Sequence, residues 1–127
     1  MYAQTVLRSS TGRTGIVPRS NSYSDFWPAY LADHSRRGTR AWHYAGAALA
    51  IAMVLVAVAV GPVWLILGSP VVGYACAWIG HATVERNRPA TFRHPVWSFV
   101  SELRMCGLWL IGRLDRELER TGVTPRP

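Results

Sequence analysis

The sequence predicts an all-α integral membrane protein, a hairpin of two transmembrane helices flanked by amphipathic interfacial helices. Three observations carry that prediction. From Ala41 to Val84 there is no Asp, Glu, Lys or Arg. The run is broken once, at Gly61-Pro62, into halves close to the roughly 20 apolar residues that span a bilayer. The basic residues, all arginine, bracket the run and leave its turn bare.

At 127 residues the chain makes one domain, and half of its residues are hydrophobic. A net charge of +7 would suggest nucleic acid in a soluble protein. Here Arg36, Arg37 and Arg40 precede the first helix and Arg86, Arg88 and Arg93 follow the second. That is the positive-inside pattern, which puts both termini in the cytosol and makes nucleic acid an unneeded partner. A bacterial inner membrane and an internal membrane fit equally.

In order, residues 1–22 are rich in Ser, Thr and Gly, lack acids and develop no apolar face, so a disordered basic tail is expected. Residues 25–35 predict a short interfacial helix with Asp25 as N-cap and Pro28 in its first turn. Trp27, Tyr30, Leu31 and His34 share one face, with the aromatics suited to the headgroup region. The transmembrane helices are expected over 39–60 and 63–84, with Pro70 a kink point in the second. Gly46, Gly73, Ala77 and Gly80 offer small surfaces for close helix contact. Pro89 and Pro95 then interrupt the chain, leaving His94 on a loop. An amphipathic period over 96–119 predicts a second interfacial helix, because its longest uncharged run, Met105–Gly112, is too short to span. Residues 120–127 read as a frayed tail, and residues 23–119 form the membrane domain.

The two cysteines, Cys76 and Cys106, read as reduced and structural. Ser98 and Ser101 lack a Gly-rich elbow, so nucleophilic catalysis finds no support.

The four histidines are the feature that needs a function. His43 and His81 each lie about 18 or 19 residues from the turn, hence roughly 27–29 Å from it and at matching depth. His34 and His94 flank the hairpin at the same face. Ionisable groups at such a depth are costly unless hydrated, paired or ligated. His43, His81 and Glu85, four residues beyond His81, can supply a two-histidine, one-carboxylate metal site, with His34 or His94 as a further ligand. The competing reading has the histidines snorkelling to water and Glu85 pairing with Arg88 or Arg40, or orienting His81. Arg40 and Arg88, with their neighbours, are candidates to hold a substrate carboxylate at histidine depth.

The stretches FWPAYLADH…RAWHYAG and YACAWIGHATVERNRPATFRHPVWS…LRM resemble the Mpo-like family of membrane 2-hydroxy fatty acid dioxygenases, in its short, single-hairpin branch. The similarity runs from Phe26 to Met105. Its most specific pieces are Leu31-x-x-His34, His43-x-x-Gly46 and Gly80-His81-x-x-x-Glu85. The resemblance implies Fe(II)-dependent oxidation that shortens a 2-hydroxy fatty acid by one carbon, with His34, His43 and His81 as iron ligands; Glu85 joins them as a candidate catalytic residue from its spacing to His81. Membrane lipid and a fatty-acid-like substrate are the expected partners, and a homodimer suits so small a scaffold. The rival is a non-enzymatic membrane adaptor or lipid-organising protein with structural histidines.

Overall fold

A computed structural model describes residues 21–127 of the 127-residue chain. The expected tail at 1–22 lies almost wholly outside the described residues. Among these, the fold is all helical apart from one isolated bridge. Helix α1 is Tyr23–Asp33, α2 is Arg37–Val60 and α3 is Trp64–Gly80, which runs on through a π turn at His81–Glu85. A 3-10 turn at Ala90–Phe92 leads to α4, Pro95–Leu110, and α5, Leu114–Arg120.

The hairpin forms where the break was read. Gly61 takes φ +92°, a left-handed cap that closes α2 through its N–H to the Ala57 carbonyl. Pro62 cannot continue the helix, and α3 restarts at Trp64. Helix α3 passes through Pro70, and the Ser69 hydroxyl donates to the Ile66 carbonyl, the group a proline at position 70 leaves without its N–H. Two helical stretches, Arg37–Val60 and Trp64–Glu85, are long and apolar enough to cross a membrane.

The two helices approach closely where the glycines lie. A Cβ on Gly46 would fall 2.8 Å from the Cys76 Cβ, and one on Gly80 would fall 2.8 Å from the Trp42 Cβ. Neither space tolerates a side chain without moving a helix. Gly46→Val is therefore expected to cost about 1–3 kcal/mol, read as earlier thermal unfolding of the solubilised protein. Gly107→Ala is the control: nothing lies within 4 Å of the added Cβ, so stability should hold.

The main core lies beside the hairpin. Phe26, Trp27, Tyr30 and Leu31 of α1 pack against Met105 of α4 and against Leu114 and Leu118 of α5. This corrects the reading of α1 as an interfacial helix showing its aromatics to headgroups: Trp27 and Tyr30 are each only 2% exposed. Their polar tips are satisfied inside the protein, Trp27 Nε1 donating to Glu117 at 2.7 Å and Tyr30 Oη to Glu102 at 2.8 Å. Arg104 covers the Trp27 ring at 4.2 Å.

Three further expectations change. The N-cap is Ser22 rather than Asp25; its hydroxyl accepts from the Asp25 N–H, so α1 starts earlier and Pro28 falls in its second turn. The single helix expected over 96–119 is two, because Gly112 adopts φ +66° and turns α5 back onto the α1 core. The end of the chain is not frayed. The Arg126 N–H donates to the Ser35 carbonyl at 2.8 Å, and its carbonyl accepts from Arg37 N–H at 3.2 Å.

Candidate metal centre

Three elements deliver one histidine each to a common point. His34 caps the C-terminus of α1, His43 lies in the second turn of α2, and His81 opens the π turn after α3. Their exposures are 1%, 4% and 1%, burial that histidine rarely reaches without partners. Each ring is fixed from outside through Nδ1. His34 Nδ1 faces the Tyr30 carbonyl at 2.6 Å, and His81 Nδ1 faces Asn87 Oδ1 at 2.6 Å. His43 Nδ1 pairs with the Glu102 carboxylate. The Asn87 amide nitrogen donates to the Asp33 carbonyl at 3.0 Å, which fixes the amide so that its oxygen faces His81.

With three acceptors outside, each Nδ1 is a donor and each Nε2 is a bare lone pair. Those lone pairs converge: His43 Nε2 lies 3.1 Å from His34 Nε2 and 3.2 Å from His81 Nε2. Acceptors cannot satisfy one another, so the cluster calls for a cation. The separations fit a metal ion: nitrogens about 2.1 Å from a metal are roughly 3.0 Å apart at right angles and about 3.4 Å apart in a tetrahedron. The three rings are also close to mutually perpendicular, at 77°, 81° and 86°. A buried three-histidine group able to hold a metal is therefore present.

Electrostatics support the neutral state of His34. Burial, and then the neighbouring His43 and His81, hold His34 well below the ordinary imidazole range. Burial pushes the Glu102 carboxyl up, but hydrogen bonds from His43, Tyr30 and Cys106 outweigh it and keep the group ionised. The Tyr30 ring stacks on His34 at 4.1 Å, so one residue braces two of the histidines, His34 directly and His43 through Glu102. Cys106 donates to Glu102 at 3.5 Å, and burial pushes its thiol up to about 12. Alkylation by iodoacetamide at pH 8 should accordingly be far slower at Cys106 than at free cysteine, as mass spectrometry of the labelled protein would show.

The structure brings together His34, His43 and His81 and leaves out other candidates. Glu85 is not in the cluster. Its carboxylate accepts from Ser35 Oγ at 3.0 Å, Arg36 N–H at 3.1 Å, Thr39 Oγ1 at 2.7 Å and Arg126 at 2.7 Å. The expectation assumed α-helical spacing from His81, and the π turn breaks that spacing. Arg86 then takes a left-handed conformation, φ 58°, and the chain folds so that Asn87 takes the place under His81. His94 stands apart from the trio, stacked on Trp97 at 4.7 Å. Arg40 is buried, and one guanidinium nitrogen donates to the carbonyls of His34 and Ser35. It holds the α1–α2 junction rather than facing a substrate. Arg88 is exposed on the loop before Pro89.

Sequence reasoning missed Glu102 and Asn87. Glu102 was visible only as a charge interrupting the apolar period of α4, and Asn87 carried no signal.

A cavity of about 340 Å³ opens from the histidines. Ala47, Ala50 and Val54 of α2, Gly73 and Ala77 of α3, and Phe99 of α4 are among its walls. Its lining is mostly apolar, and the three histidines and Glu102 are among the polar residues that reach it.

A family model described as 2-hydroxy-palmitic acid dioxygenase Mpo1-like matches residues 20–114. The matched span includes all three histidines, Asn87 and Glu102, and it stops before Arg126. No curated protein and no solved structure matches the chain.

Proposed function

The chain belongs to the Mpo1-like family, and from that premise we propose that it is a membrane-embedded Fe(II) dioxygenase that shortens 2-hydroxy fatty acids by one carbon. The observation that carries this is the convergence of three Nε2 lone pairs at the head of an apolar cavity. Three imidazoles suit iron among the divalent metals and leave positions for oxygen and substrate. Bound iron would supply activation of oxygen. The overall reaction, R–CH(OH)–COOH + O₂ → R–COOH + CO₂ + H₂O, balances without an added reductant.

The chain's own residues bind, orient and exclude water. His34, His43 and His81 would hold the metal, and Tyr30, Glu102 and Asn87 fix the rings from their Nδ1 side so that the Nε2 atoms converge. The apolar walls receive the acyl chain and keep water from the reacting end. Arg88, one residue before the cavity-lining Pro89 and exposed, would meet a carboxylate arriving from the membrane surface.

Insertion in a bilayer accounts for the exposed apolar side chains of α2 and α3, among them Ile51, Leu55, Val58, Leu67 and Val71. Arginines at both ends of the hairpin would place those ends, and the histidines with them, at the cytosolic face. Oxygen uptake by the iron-loaded, solubilised protein with 2-hydroxypalmitic acid tests the reading. Uptake that requires iron and yields the acid one carbon shorter supports it. A protein that holds iron yet consumes no oxygen with any 2-hydroxy acid would overturn it in favour of a non-catalytic metal site.

A further inference from the structure

We propose that the cavity is a ruler for an acyl chain and that Ala50 and Gly73 are the residues that set it. The inference rests on the oxygenase reading for the identity of the ligand's head. The cavity has the three histidines and Glu102 on walls that are otherwise mostly apolar, so its occupant is amphipathic. Three imidazoles with a metal make their part of the cavity positive, which selects an anionic head and leaves the apolar walls to an aliphatic tail.

The helix geometry orders the walls into levels. Moving from the histidines toward the turn, α2 contributes His43, Ala47, Ala50 and Val54, while α3, running the other way, contributes His81, Ala77, Gly73 and Pro70. At 1.5 Å per residue, Ala47 and Ala77 lie about 6 Å beyond the histidines. Ala50 and Gly73 lie roughly 10–12 Å beyond them, and Val54 and Pro70 about 16 Å. Ala47, Ala77, Ala50 and Gly73 leave room at the first two levels, where Ile51 and Tyr74 supply the bulkier wall, and Val54 and Pro70 narrow the third.

Gly73 is the most informative position. A Cβ there would stand 3.7 Å from the Ala50 Cβ and 3.8 Å from the Gly46 carbonyl, which is ordinary contact. Helix packing therefore does not require glycine at 73, in contrast to 46 and 80. What the missing side chain provides is room in the cavity. A larger residue at 73 or 50 would stop a tail at the second level, removing the burial of every methylene beyond it.

The test compares 2-hydroxyhexanoate, whose tail ends before the second level, with 2-hydroxypalmitate, whose tail passes it. Equilibrium binding to the solubilised protein is measured without oxygen, and oxygen uptake is measured in parallel, for the wild type, Gly73→Ala, Gly73→Leu and Ala50→Leu. Metal content reports whether each variant keeps the site. The preference for the long acid over the short one is expected to fall at least tenfold in both leucine variants, and by less in Gly73→Ala. An unchanged preference in metal-replete variants would overturn the ruler. So would equal loss of both acids in Gly73→Ala, the variant whose backbone packing is undisturbed. Wild-type protein that binds the acids but consumes no oxygen contradicts the oxygenase reading alone, and the binding preferences still decide the ruler.

Discussion

Replacing Glu85 with alanine is expected to destabilise the protein by about 3–5 kcal/mol, the range for removing one partner of a buried ionic network. Its side chain is 1% exposed and accepts four hydrogen bonds, three of them from the α1–α2 junction. The fourth comes from Arg126, whose side chain is 54% exposed. Loss of the carboxylate leaves Ser35, Arg36 and Thr39 donors buried without an acceptor. Because that junction follows His34 and the π turn begins with His81, the damage should spread to the metal centre. Arg126→Ala should cost far less, since an exposed partner gives little. Unfolding of the solubilised variants by heat or denaturant checks the order. Equal, small effects for the two would mean that Glu85 is a peripheral group.

Glu102→Ala is expected to weaken metal binding by about 10–100-fold, the usual effect of removing a ligand's outer partner. His43 would then lack the acceptor that fixes its Nδ1 proton, and Nε2 would no longer be reserved for the metal. Tyr30 would lose its acceptor as well. Glu102→Gln keeps an oxygen for the Nδ1 proton and should recover much of the affinity. Metal titrations of the two variants decide the matter: if alanine and glutamine weaken binding equally, the neutral hydrogen bond is not what positions His43.

The hairpin was legible because its cause is local. An uncharged run broken by Gly61-Pro62 folds as two helices whatever surrounds it, and Gly46 and Gly80 meet the partner helix as their size suggested. The equal depth of His43 and His81 followed from counting residues along those helices. The Glu85 assignment failed because counting presumes an α-helix, and five residues of π turn with a left-handed Arg86 reset the register. Glu102 was hidden for another reason. Its role exists only once α4 lies against α1 and α2, and nothing within α4 marks one glutamate as inward. The burial of Trp27 and Tyr30 was likewise set by α4 and α5, whose docking on α1 depends on the turn at Gly112.

The most direct measurement is metal analysis of protein purified without oxygen, beside His34→Ala, His43→Ala and His81→Ala, with circular dichroism to confirm helicity. One iron per chain in the wild type, lost in all three variants while the helices persist, is the result that three convergent Nε2 atoms predict. No metal after loading with Fe(II), and three variants indistinguishable from wild type, would contradict the site.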